Sequence, residues 1–234
     1  MEQSSYSARR AYYERRRRRR RKIVARRIIC IVLFAAVITG LSVGGVKLYN
    51  RFFTGTGEST AVTERLKAIE IPDWIDEQII YVHNTARTGT PLDDVKNIVI
   101  HYVGNPGTSA QNNRDYYNKP STEVSSHFLV GLEGEIIQCL PLWEKSAASN
   151  WRNNDTISIE VCHPDESGKF SDVTYESVIK LTAWLIQKLG LDETDVIRHY
   201  DITEKLCPLY YVEHEDAWNQ LIKDVGEKSD EDFD

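Results

Sequence analysis

Apolar positions along the chain fall into three textures. Residues 28–46 (IICIVLFAAVITGLSVGGV) form an uncharged run. At 1.5 Å per helical residue it is long enough to cross a hydrocarbon layer of about 30 Å, and it predicts a transmembrane helix. Residues 47–71 contain TGTGEST and little periodicity, which predicts a linker with room for a short helix. From Pro72 to about Val225, short apolar runs alternate with amphipathic ones, the texture of a folded domain. The remainder, 226–234 (GEKSDEDFD), is acidic and predicts a disordered tail.

Within 72–225, NIVIHYV at 97–103 empties into Gly104, Asn105, Pro106 and Gly107, a buried strand running into a loop. The polar stretch 108–119 predicts a surface helix. VSSHFLV at 124–130 and EIIQCL at 135–140 flank the glycines at 131 and 134, a hairpin pattern, and TISIEVC at 156–162 is a further strand. Val178, Leu181, Leu185 and Leu189, spaced by three and four with Gly190 beyond, predict an amphipathic helix over 174–189. A last helix is expected over 213–225 with Ala217, Leu221 and Ile222 inward. Interleaved strands and helices that include a hairpin predict a mixed α/β fold, a central sheet flanked by helices, rather than a purely parallel one.

Charge changes the picture at the N-terminus. The net charge of -6 is split: residues 1–27 hold 12 Lys and Arg against 2 Asp and Glu, leaving 17 basic and 33 acidic residues for the rest. A basic block just ahead of an apolar span marks the cytoplasmic side, so 1–27 is expected inside and the domain outside, a single-pass protein of the cell membrane. The same block explains its own charge as a topology signal that attracts anionic lipid, and no nucleic-acid partner is needed. Of four cysteines, Cys30 lies in the span, which leaves Cys139, Cys162 and Cys207 outside. An odd number in an oxidising compartment suggests one thiolate engaged by something other than a disulfide, with metal a leading candidate. Cys139 and Cys162 are either buried free thiols or a disulfide between strands.

A catalytic zinc takes three ligands from protein and keeps a fourth position open. His101 ends a strand, His199 follows Val196 and Ile197, and Cys207 comes eight residues later in HYDITEKLCP, a loop able to bring its ends together. In TISIEVC, Ser158, Glu160 and Cys162 share one strand face and Ile157, Ile159 and Val161 the other. A carboxylate on a buried strand is costly unless it is paired or near a cation, which makes Glu160 a candidate general base.

The segments IVIHYVGNPGTSA, VSSHFLV followed by GEIIQCLP, ISIEVC and RHYDITEKLCP together resemble the type-2 N-acetylmuramoyl-L-alanine amidases, the family that includes peptidoglycan recognition proteins and bacteriophage lysozyme-amidases. The resemblance covers about residues 72–225. It implies Zn2+ held by His101, His199 and Cys207, and an essential lysine at Lys205. It also implies the family variant with a glutamate on the later strand, Glu160, rather than a tyrosine before the mid-domain histidine, since Ser126 precedes His127. His127 matches a family histidine that is not a ligand. The implied reaction is hydrolysis of the amide joining N-acetylmuramic acid to L-alanine in peptidoglycan. Asp201 is expected to orient His199 through its second ring nitrogen, and Asn150 and Trp151 to line the glycan side of the cleft. His83 and His163 are expected at the surface. Two other readings are a non-catalytic peptidoglycan-binding module of the same fold and a Cys-His endopeptidase using Cys139 or Cys162 with His127.

Overall fold

The computed structural model of the chain describes residues 56–231 apart from 83 and 84, and residue 233. The basic segment 1–27, the apolar run 28–46 and residues 47–55 lie outside the described residues. Among the described residues no helix is long and apolar enough to cross a membrane.

In chain order the elements are α1 (Thr56–Lys67), β1 (Asp76–Glu77), β2 (Asn97–Tyr102), α2 (Ala110–Tyr117), β3 (Phe128–Val130), β4 (Ile136–Gln138), a 3-10 turn (Asn150–Arg152), β5 (Thr156–Val161), α3 (Asp172–Leu189), a second 3-10 turn (Glu193–Asp195), β6 (Val196–Arg198), α4 (Tyr200–Thr203), α5 (Leu209–Glu213) and α6 (Glu215–Ser229). The six strands form one sheet in the order β1-β4-β3-β5-β2-β6. Only the expected hairpin, β3 with β4, pairs antiparallel; β1 with β4, β2 with β5, β2 with β6 and β3 with β5 are parallel. The mixed sheet flanked by helices is therefore observed.

Alternation along the two central strands separates core from site. Ile98 and Ile100 of β2 and Ile157, Ile159 and Val161 of β5 are buried in one cluster with Val178, Leu181, Trp184 and Leu185 of α3 and Trp218, Leu221 and Val225 of α6. Helix α3 starts where the Ser171 side chain accepts from the Thr174 amide, and it stops at Gly190 in the left-handed region at φ 69°, the conformation that glycine enters without a Cβ penalty. A smaller cluster on the opposite face gathers Leu129, Ile137, Cys139, Leu140 and Cys162 under Ala110 and Tyr117 of α2.

The folded unit is longer at both ends than the apolar pattern indicates. Leu66 of α1 is fully buried in the main core, with Val62, Ile69 and Ile71 packed against it, so the segment read as linker is in part a packed helix. At the other end α6 continues to Ser229, Phe233 packs on the core, and Gln187 Nε2 donates to the Glu231 carbonyl at 2.6 Å. These contacts order most of the segment expected to be a disordered tail. The buried stripe of α6 is also rotated from the expected one: Trp218, Leu221 and Val225 face inward, and Ala217 and Ile222 sit at its margins.

Candidate metal centre

The central strands place a histidine and a carboxylate side by side. In the parallel register His101 of β2 pairs with Glu160 of β5, and both point away from the helix-covered core. His101 Nδ1 lies 3.8 Å from Glu160 Oε1. On the other side of β2, the pair Ile100 and Arg198 holds β6, and the His199 amide donates to the Ile100 carbonyl at 3.2 Å. That bond brings the two imidazoles together with ring centroids 4.6 Å apart.

The chain then doubles back. Glu204 ends α4 in the left-handed region at φ 64°, the Tyr200 amide donates to the Cys207 carbonyl at 2.9 Å, and the Cys207 amide to the Lys205 carbonyl at 2.7 Å. Cys207 Sγ is thereby placed 3.8 Å from His101 Nδ1. Ligand atoms of His101, His199 and Cys207 all lie within 4.8 Å of one another, and the three residues are buried. Ordinary tetrahedral zinc bonds separate such atoms by about 3.3–3.6 Å, so the ligand atoms would have to approach one another by at most about 1.5 Å to close on an ion.

The electrostatics point the same way. Burial holds the His101 pKa well below the usual imidazole value, with the neighbouring His199 and Lys205 adding to the effect. Burial, then Lys205, lowers His199 to about 4. Both rings are therefore neutral at pH 7 and keep a lone pair for coordination. Burial pushes the Cys207 thiol up to about 12, reinforced by Glu160 and opposed by a Tyr102 backbone hydrogen bond and Lys205. Burial likewise raises Glu160 to about 8 against the pull of Lys205. His199 Nδ1 and Glu160 Oε2 are buried with no hydrogen-bond partner, a costly state for polar atoms. A divalent cation satisfies the ring nitrogen and draws thiol and carboxyl toward their ionised forms. Two imidazoles and a thiolate suit zinc, so the residues present fit that ion.

Residues 91–209 match the family described as N-acetylmuramoyl-L-alanine amidase, a segment that contains the whole cluster. The chain belongs to the N-acetylmuramoyl-L-alanine amidase family. It is 31% identical over 156 residues to the N-acetylmuramoyl-L-alanine amidase CwlL of Bacillus licheniformis, covering 58% of this chain and 42% of that protein. It is 34% identical over 154 residues to BlyA of Bacillus subtilis (strain 168), covering 57% and 41%. The chain thus spans about two-fifths of the length of these curated relatives. Among solved structures it is similar to a mutant endolysin from Bacillus subtilis (26% identity, TM-score 0.57, 65% of this chain and 98% of that one). It is also similar to the catalytic domain of XlyA (25% identity, TM-score 0.56, 65% and 99%).

Against this amidase frame several sequence-based assignments change. Asp201 does not face His199. Its carboxylate accepts from the Arg198 backbone amide at 2.9 Å and from the Arg198 guanidinium at 3.2 Å; the nearer cation claims it, and Arg198 in turn bonds Glu215 and the Tyr211 carbonyl, tying β6 to α5 and α6. The partner of His199 is Asn150, whose Oδ1 lies 2.9 Å from His199 Nε2, so its side chain turns inward rather than to the glycan side. Trp151, the next residue, is 68% exposed, and Leu206, next to Cys207, is 51% exposed. Trp151 follows Asn150, the partner of His199, and Leu206 precedes Cys207. Leu206 had a readable signal, an apolar side chain inserted between Lys205 and Cys207 in a polar loop. Ser149, whose Oγ lies 3.3 Å from His101 Nε2, had none.

His163 is buried rather than at the surface, tilted against Tyr102 with ring centroids 5.0 Å apart and Nδ1 2.7 Å from the Asp165 carbonyl oxygen, and His83 lies outside the described residues. Cys139 and Cys162 are free and fully buried. Burial raises both thiols, Cys162 to about 12 and Cys139 further. His127 has both ring nitrogens engaged, Nδ1 accepting from the Ser158 amide and Nε2 facing the Glu144 carbonyl. This removes the Cys-His endopeptidase reading, which requires a reactive thiolate and a free base.

Proposed function

We propose that the chain is a zinc-dependent amidase that hydrolyses the amide between N-acetylmuramic acid and L-alanine of peptidoglycan, held on the outer side of the cytoplasmic membrane by residues 28–46. The observation that carries the reading is the convergence of His101, His199 and Cys207 within 4.8 Å, with Glu160 3.8 Å from the first of them.

Amide nitrogen donates into its carbonyl, so hydrolysis requires a strong nucleophile and a partner for the developing oxyanion. His101, His199 and Cys207 would hold the zinc, which would supply Lewis acidity for the hydrolysis. Glu160 accepts the proton of the attacking water and returns it to the leaving nitrogen, giving a lactyl carboxylate and a free L-alanine amine. Lys205, exposed on the returning loop and near enough to shift His101, His199, Cys207 and Glu160, directs its ammonium at the oxyanion. Trp151 offers an apolar platform at the rim for sugar or stem peptide.

The test is incubation of the full-length chain with purified sacculi, with and without zinc, and mass spectrometry of the released ends. Free L-alanine amino termini on one product and intact lactyl groups on the other are expected, only with zinc. Glu160→Gln is expected to abolish turnover while retaining the metal, His199→Ala to lose both, and Lys205→Ala to lower kcat by about 10²–10³, as for loss of one oxyanion donor. Muropeptide binding with neither metal nor cleavage would replace this reading by that of a non-catalytic binding module.

A further inference from the structure

Two consecutive residues touch the two site histidines. Ser149 Oγ lies 3.3 Å from His101 Nε2, and Asn150 Oδ1 lies 2.9 Å from His199 Nε2. The opposite nitrogens face the cluster. His101 Nδ1 is 3.8 Å from both Cys207 Sγ and Glu160 Oε1, and His199 Nδ1 is buried and unpartnered. An amide oxygen only accepts, so the ring nitrogen it meets must carry the proton, and the lone pair of His199 is left on Nδ1. A serine oxygen can accept in the same sense from His101.

The turn that carries these two side chains is itself fixed. Asn153 Oδ1 accepts from the Ala148 amide at 3.1 Å and the Ser149 amide at 2.6 Å. Arg152 bonds Asp155 at 2.6 Å and Asn97 Oδ1 at 2.7 Å, which ties the turn to the starts of β5 and β2. Asn150 sits in the left-handed region at φ 53°, where asparagine is better tolerated than most residues. Ser149 is fully buried.

We propose that Ser149 and Asn150 are positioning residues that set the tautomer and orientation of the two histidine ligands, Ser149 for His101 and Asn150 for His199. This inference rests on the zinc reading of the site. One rigid turn thereby governs two of three ligands, and partners of this kind affect metal affinity by about 10–100-fold.

The experiment measures zinc affinity of the full-length chain by competition with a chromogenic chelator, together with the d-d absorption of the Co2+-substituted protein. Asn150→Gly removes the acceptor without strain at positive φ, Asn150→Asp restores an acceptor, and Ser149→Ala acts on the other ring independently. The glycine and alanine variants are expected to bind zinc about 10–100-fold more weakly with altered cobalt spectra, while their metal-free forms unfold at the wild-type denaturant midpoint. Asn150→Asp is expected to recover affinity and spectrum. Wild-type affinity and spectrum in Asn150→Gly and Ser149→Ala overturn the proposal, as does an aspartate variant as weak as the glycine one. A wild-type chain that takes up no zinc instead removes the metal reading itself.

Discussion

His127 shows how one buried side chain couples the fold to pH. Burial lowers its pKa to about 4, against the opposing hydrogen bond to the Glu144 carbonyl, whereas in an unfolded chain it titrates near 6.5. The folded state therefore binds its proton more weakly than the unfolded state. The contribution is complete above about pH 6.5 and is lost as pH falls toward 4, by about 3 kcal/mol in all. The urea midpoint is expected to drop over that interval, and to drop less steeply in His127→Gln; equal slopes would exclude His127 as a source. At this scale the residue types only suggested chemistry: His101, His199 and Cys207 were singled out as ligands by the family resemblance, and they lie together with Glu160 beside them. Orientation was not legible. Asp201 lies two residues after His199 and three after Arg198 in the sequence, and nothing in that spacing says that it turns to the guanidinium. Ser149 is generic until its hydroxyl is found beside a ring.

Elements fix the distances that residues alone leave open. The ladder between β2 and β5 sets His101 beside Glu160, and the alternation in TISIEVC predicted which face Glu160 would take, because period two is strict on a strand. Element ends were less legible. Helix α1 has a weak apolar pattern, since only Leu66 is fully buried in the core with Val62 half-buried one turn before it, and two positions leave little periodic trace. Leu66→Ala is expected to destabilise the domain by about 2–5 kcal/mol, measured by denaturant unfolding. An effect below about 0.5 kcal/mol, the level of an ordinary surface substitution, would mean that α1 is dispensable and that the folded unit does begin near Pro72.

Across the whole molecule, the mixed topology followed from one hairpin among otherwise crossing connections, but the order β1-β4-β3-β5-β2-β6 did not, because strands of two or three residues such as β1 carry too little pattern to place. On the zinc reading, a bound ion would be an external source of stability at this scale. A ligand that binds only the folded state adds about 2.7 kcal/mol at a hundredfold excess over its Kd, which for a domain of this size raises Tm by about 5–10 °C. A chelator is expected to reverse that gain in a thermal melt, and an unchanged Tm would argue against a structural coupling of zinc to the fold.

His101 stands on a central strand bonded on both sides, while His199 and Cys207 hang on the arm that follows β6 and is closed by the Tyr200–Cys207 backbone bond. The mounting is lopsided, one post and one hinge. On the zinc reading, a bound ion would pin the arm to the post. Amide exchange in deuterated water is the way to see it: stripping the metal should quicken exchange at 199–207 and leave 97–102 and 156–161 as slow as before.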